Sequence, residues 1–178
     1  ATKTAKNSLL ARVNAENPVN RKKIYQLYVL LFNNNQPNVD DVERWIAKLD
    51  SGVTFNTVAY RMYAEELARP VPQFTSNNVI DRIFRISLGR TDDISGAVGY
   101  YTPLLNDPLS TDEVRGSQLV DIITKVSTYA ESNPYAIIAR DNLNGKVQQG
   151  LSREATESAA ADSAYTTANS AFAAATTK

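Results

Sequence analysis

Between Ile24 and Phe32 the apolar positions 24, 27, 28 and 31 recur every three or four residues, the spacing of one face of an α-helix. Asn33-Asn34-Asn35-Gln36-Pro37 then predicts a stop, because Asn favours turns and Pro cannot continue a helix. A second helix is expected from Asn38, an N-cap residue followed by Asp40 and Asp41, where the helix dipole favours acids. Val42, Trp45, Ile46 and Leu49 form its apolar stripe, and Ser51-Gly52 ends it. Thr54 can cap a third helix carrying Phe55, Val58, Met62 and Leu67, closed by Pro70 and Pro72.

The same sentence then repeats. A shift of 56 residues sets Ile24 on Ile80, Leu27 on Ile83, Tyr28 on Phe84, Leu30 on Ile86, Val42 on Val98, Trp45 on Tyr101, Leu49 on Leu105 and Val58 on Val114. The turns coincide as well, Asn33-Asn34 falling on Gly89-Arg90 and Ser51-Gly52 on Asp107-Pro108. Helical periodicity alone matches a stripe within one helix; it does not also match the caps and turns of three. The chain therefore reads as two copies of a three-helix unit, residues 20–70 and 77–128. In the second copy Ser110 and Glu113 suggest a capping box, and Pro103 predicts a kink or a break after Tyr101.

Pro134 can open a further helix, 134–149, with Tyr135, Ile138, Leu143 and Val147 for packing and Gly150 as its stop. Ser152 then caps a separate Ala-rich helix reaching Ala175. In it Ala161, Tyr165, Ala168, Phe172 and Ala175 are spaced 4, 3, 4, 3, a heptad seam with Tyr165 and Phe172 as knobs. The expected architecture is all-α: a basic arm 1–19, a two-repeat helical domain 20–150 and an Ala-rich helical arm 151–178.

The residues of the second copy also carry a likeness. Arg82-Ile83-Phe84-Arg85-Ile86-Ser87-Leu88-Gly89-Arg90-Thr91-Asp92-Asp93, then Gly96, Tyr100-Tyr101 and Leu104-Leu105, resembles the bacterial domain-of-unknown-function 4214 family: a helix ending in Leu-Gly-Arg, an acidic turn with Gly, an aromatic helix. Leu109-Ser110-Thr111-Asp112-Glu113-Val114 fits that family's third helix. The first copy departs from it, with Leu31-Phe32-Asn33-Asn34 where Leu-Gly-Arg is usual. The rhythm of phycobilisome linker domains is a more distant likeness. The resemblance covers residues 24–124 and implies scaffolding in surface, S-layer or assembly-linker proteins, with no catalytic residues.

Composition narrows the chemistry. The 178 residues contain 0 Cys and 0 His, which removes disulfides, thiol nucleophiles, Cys/His zinc sites and imidazole catalysis. The 7 Gly include no phosphate-cradling motif, and no G-x-S-x-G elbow is present. The turn Thr91-Asp92-Asp93-Ile94-Ser95-Gly96 lacks the alternating ligands and terminal Glu of a calcium loop. Asp92 is expected to cap a helix there, Gly96 to allow close helix packing and Arg90 to pair with a carboxylate. The acidic pairs Asp40/Asp41, Glu65/Glu66 and Asp112/Glu113 read as structural, and no cofactor or metal is expected.

Lys+Arg and Asp+Glu each number 19, yet Lys3, Lys6, Arg12, Arg21, Lys22 and Lys23 face only Glu16 within residues 1–23. With no aromatic residue in that stretch to stack on bases, it reads as a solvated arm rather than a nucleic-acid grip. No run of about 18 apolar residues and no signal-peptide core occur, so synthesis in the cytoplasm is expected. The reading is a non-catalytic assembly protein, a bacteriophage virion component or, alternatively, a cell-surface or S-layer attachment domain exported without a signal. A small enzyme and a nucleic-acid binder are distant alternatives. The expected contacts with homo- or hetero-oligomeric protein partners are Tyr165, Ala168 and Phe172 on the tail and Lys3, Lys6 and Arg12 on the arm.

Overall fold

The computed structural model describes residues 18–128 and 133–176. Among them are seven α-helices and no strand, so the fold is all-α. The helices are α1 (Pro18–Phe32), α2 (Val39–Asp50), α3 (Phe55–Leu67), α4 (Val79–Arg82), α5 (Ser95–Leu105), α6 (Asp112–Ser127) and α7 (Pro134–Thr176); α4 runs on into a π-helical turn, Ile83–Ser87.

Local chemistry accounts for the ends. The Asn38 side chain accepts from the backbone N–H of Asp40 (2.9 Å) and Asp41 (3.4 Å), and Thr54 accepts from Thr57 (3.2 Å). α1 closes at Asn33, which takes a left-handed φ of 50°, and the Asn34 N–H donates to the Tyr28 carbonyl at 3.2 Å. Gly89, with φ 69°, and the bond from Arg90 N–H to the Phe84 carbonyl at 2.8 Å repeat this closure 56 residues on. Trp45 and Tyr101, counterparts at the same shift, are both buried.

Three local expectations are corrected, and of the kink or break expected at Pro103 the break is excluded. The cap of α6 is Thr111, accepting from Val114 N–H, while Ser110 donates to Asp107; the Asp107 turn takes the serine away from the helix. Pro103 does not break α5, which runs to Leu105. The carbonyl that Pro103 leaves without a donor is that of Gly99, an exposed residue where water can serve. Asp92 caps nothing: it forms a two-point ion pair with Arg90, and Asp93 accepts from Ser95 N–H instead. Gly96 is exposed, with open space where a Cβ would stand.

The π turn also changes one helix face. The Leu88 N–H reaches the Ile83 carbonyl at 2.9 Å, and the extra residue turns Ile86 outward to 44% exposure, although its counterpart Leu30 is fully buried. Ser87 takes the inner position and donates to the Leu30 carbonyl at 2.7 Å. Phe74, in the loop between the units, is buried and stacks on both Phe32 and Tyr63, with ring centroids 5.9 Å apart in each case.

The two units meet most extensively through α3 and α6. A Cβ on Gly116 would fall on the Asn56 carbonyl, so only glycine permits this approach. Glu113 caps the other unit: Thr54, Thr57 (2.9 Å) and Asn56 (2.8 Å) all donate to its carboxylate. Thr57 and Glu113 are counterparts in the repeat, as are Tyr60 and Gly116, and each touches its own counterpart. That is the contact pattern of a two-fold axis, here joining halves of one chain.

Candidate functional site

α7 is the element that ties the molecule together. Its buried positions are Ala136, Ala139, Leu143, Val147, Gly150, Glu154 and Ser158, spaced 3, 4, 4, 3, 4, 4. An 11-residue period of this kind follows a nearly straight helix. Tyr135 and Ile138, expected to pack, lie off this stripe and are 39% and 43% exposed. The helix is also continuous: the expected stop at Gly150 and the new start at Ser152 are both overturned. Gly150 serves close approach instead. A Cβ there would sit 2.6 Å from the Asn35 carbonyl oxygen and 2.7 Å from the Tyr25 ring, so α1 and α7 touch through its bare backbone.

Along α7 the contacts pass from the second unit to the first. Asn142 donates to the Leu88 carbonyl at 3.0 Å. Lys146 donates to Asn33 Oδ1 (2.7 Å) and the Ser87 carbonyl (2.9 Å), placing one cation at the C-terminal ends of both units' first helices, where the dipoles favour it. Burial lowers the Lys146 pKa. One turn past Gly150, Glu154 accepts from the Tyr25 hydroxyl (2.7 Å) and from Arg21 (2.5 Å), and Arg21 also holds Glu43 (2.5 Å). Burial, then the bond to Glu154, raises the Tyr25 pKa.

Past Ser158 the same 3-4-4 stripe continues as Ala161, Tyr165, Asn169 and Phe172. Ala161 and Tyr165 are half-buried; Ala168 and Ala175 are exposed, and Phe172 is 72% exposed. Within the chain, the seam from Ala168 onward is exposed rather than buried. Lys3, Lys6 and Arg12 lie outside the described residues.

The sequence reading missed a pair of hollows. One, of about 380 Å³, lies between α1, α2 and α3 in the first unit; the other, of about 260 Å³, lies in the second. Tyr28, Asn38, Asp41 and Trp45 line the first, and their counterparts Phe84, Ile94, Ala97 and Tyr101 line the second. Likewise Glu66 and Arg69 are replaced by Ile122 and Lys125. The hollow belongs to the unit, and its chemistry has diverged between copies. The 56-residue shift could have signalled this, because polar residues of the first copy fall on apolar ones in the second.

In the first hollow Arg44 lies 4.4 Å above the Trp45 ring and makes two 3.0 Å bonds to Glu65. Glu66, 4% exposed, accepts from Gln73 N–H (2.6 Å) and from Arg69 (3.1 Å). Burial, then the Asp41 carboxylate, pushes the Tyr28 hydroxyl up to about 12, so it keeps its proton at neutral pH. In the second hollow Tyr101 donates to Asp121 at 2.7 Å, and Lys125 donates to the same carboxylate at 2.7 Å.

Among the described residues no group of three or more acidic side chains is placed to hold a metal ion, and no helix is long and apolar enough to cross a membrane. No protein-family model matches the chain, and comparison with curated proteins and with solved structures finds no significant likeness.

Proposed function

We propose that this chain is a non-catalytic assembly protein, a component of a bacteriophage virion at the capsid surface or the tail. The observation that carries the reading is the course of α7. One helix of 43 residues, roughly 65 Å at 1.5 Å per residue, seats on both units through its buried positions from Ala136 to Ser158 and then runs on with side chains that are mostly exposed. The stripe that seats it on the body continues along this end through Tyr165 and Phe172. A rigid body with an amphipathic helical extension suits attachment to protein neighbours. The second reading, a cell-surface or S-layer attachment domain, draws on the likeness of Arg82–Asp93 and the residues after it to the domain-of-unknown-function 4214 family.

The test is made in cells carrying the natural locus, with a tagged full-length chain and one lacking residues 162–178. The proposal expects the full chain to sediment with particles on a density gradient, and the shortened chain to stay folded but remain at the top. Equal sedimentation of both would move the attachment surface to the body. Recovery of the full chain with the cell envelope, and none with particles, would favour the surface reading.

A further inference from the structure

The hollow of the first unit has a chemistry the assembly reading does not use. At about 380 Å³ it falls at the small end of the range for small-molecule sites, roughly 300–1,000 Å³. Two half-buried rings, Tyr28 and Phe32, 5.7 Å apart, stand on one side. Trp45, Met62 and a set of charged and amide groups line the rest, and each arginine faces a carboxylate. Arg44 is held by Glu65 through two bonds and Arg69 by Glu66 through one, so each guanidinium already faces a carboxylate. A cationic guest fares no better, because Arg44 already occupies the face of Trp45 and the Glu65 carboxylate.

What remains is a mixed set of polar groups. The Asp41 carboxylate lies 3.8 Å from Arg44 but is 56% exposed, and a carboxylate has several acceptor sites. The Asn38 Oδ1 is used in capping, and its amide nitrogen carries donors. The Tyr28 hydroxyl can do either. A hydroxyl group both donates and accepts, so a neutral ring bearing several hydroxyls meets such a set without leaving a charge unpaired. Its C–H faces suit the aromatic side.

We propose that the first hollow binds a neutral polyhydroxylated ring, a sugar residue either free or at the end of a glycan, and that the second hollow, with Ile94, Ala97 and Ile122 at the corresponding positions, does not.

Trp45 is the chain's one tryptophan and lines this hollow, so its emission reports on it directly. The full chain is titrated with neutral hexoses and N-acetylhexosamines, and in a parallel arm with their disaccharides, which distinguish a free ring from a glycan end. The expected result is a saturable emission change with a Kd of about 1 mM for at least one sugar. Asp41→Ala, at an exposed position, should weaken it at least about tenfold without unfolding the chain. Absence of any saturable change in the folded chain would overturn the proposal. So would a response that survives Asp41→Ala undiminished, or one given by tetramethylammonium and by no sugar. Loss of particle association in the truncated chain bears only on the assembly reading, so the two proposals fail separately.

Discussion

At the scale of single residues, two glycines five positions apart on α7 respond oppositely to the same change. A Cβ on Gly145 meets nothing within 4 Å, whereas one on Gly150 meets Asn35 and Tyr25. Gly145→Ala should stabilise the protein by up to about 1 kcal/mol through helix propensity. Gly150→Ala should destabilise it by about 1–3 kcal/mol, because α7 must lift from α1. Urea unfolding of the two variants checks both signs. Glu113 supplies a pH dependence. The hydroxyl of Thr54 first, then Thr57 and Asn56, donate to its carboxylate and hold it below the usual carboxylate range. A pKa depressed by folding gives stability that is present above the unfolded value and is lost as pH falls through the folded one. Melting temperature should therefore fall below about pH 4.5, and less steeply in Glu113→Gln. Glu113 was legible in the sequence as an acid near a helix start, but not as a cap for the other unit. That role depends on α3 and α6 packing side by side, which no local pattern encodes.

At the scale of elements, most helix starts were readable because their causes are local: Asn38, Thr54 and Pro134 stand at or beside them. The errors arise where tertiary contact overrides a local signal. Gly150 looks like a stop and is a contact; Ser152 looks like a cap and lies within the helix. The π turn was invisible, since an apolar stripe carries no mark of one extra residue. The end of α7 should contribute less to folding than its seated part. Ala168→Ser, at an exposed position, should change unfolding free energy by no more than about 0.5 kcal/mol. Ending the chain before Glu154 should cost far more, because Glu154 and Ser158 are buried; thermal unfolding of the two variants separates the cases.

At the scale of the whole molecule, the 56-residue shift made the closures at Asn33 and Gly89 legible, while the caps differ, with Ile94 and Thr111 standing where Asn38 and Thr54 predict otherwise; the pairing of the copies was not legible. Lys146 is where that pairing meets α7. Lys146→Met should cost about 1–2 kcal/mol by removing its bonds to Asn33 and Ser87, and hydrogen exchange should quicken at the ends of α1 and of the π turn together. Exchange that quickens at one end alone would mean that the lysine serves a single unit. The order of contacts along α7 has a further consequence, for synthesis. A chain made from its N-terminus completes both units before residues 136–158 exist, and domains fold in that order as they emerge. Until then Tyr25, Arg21 and the ends of both first helices have no partner from α7. The nascent protein is therefore expected to pass through a stage with both units formed and joined through α3 and α6, while the surface that the last long helix covers is still open.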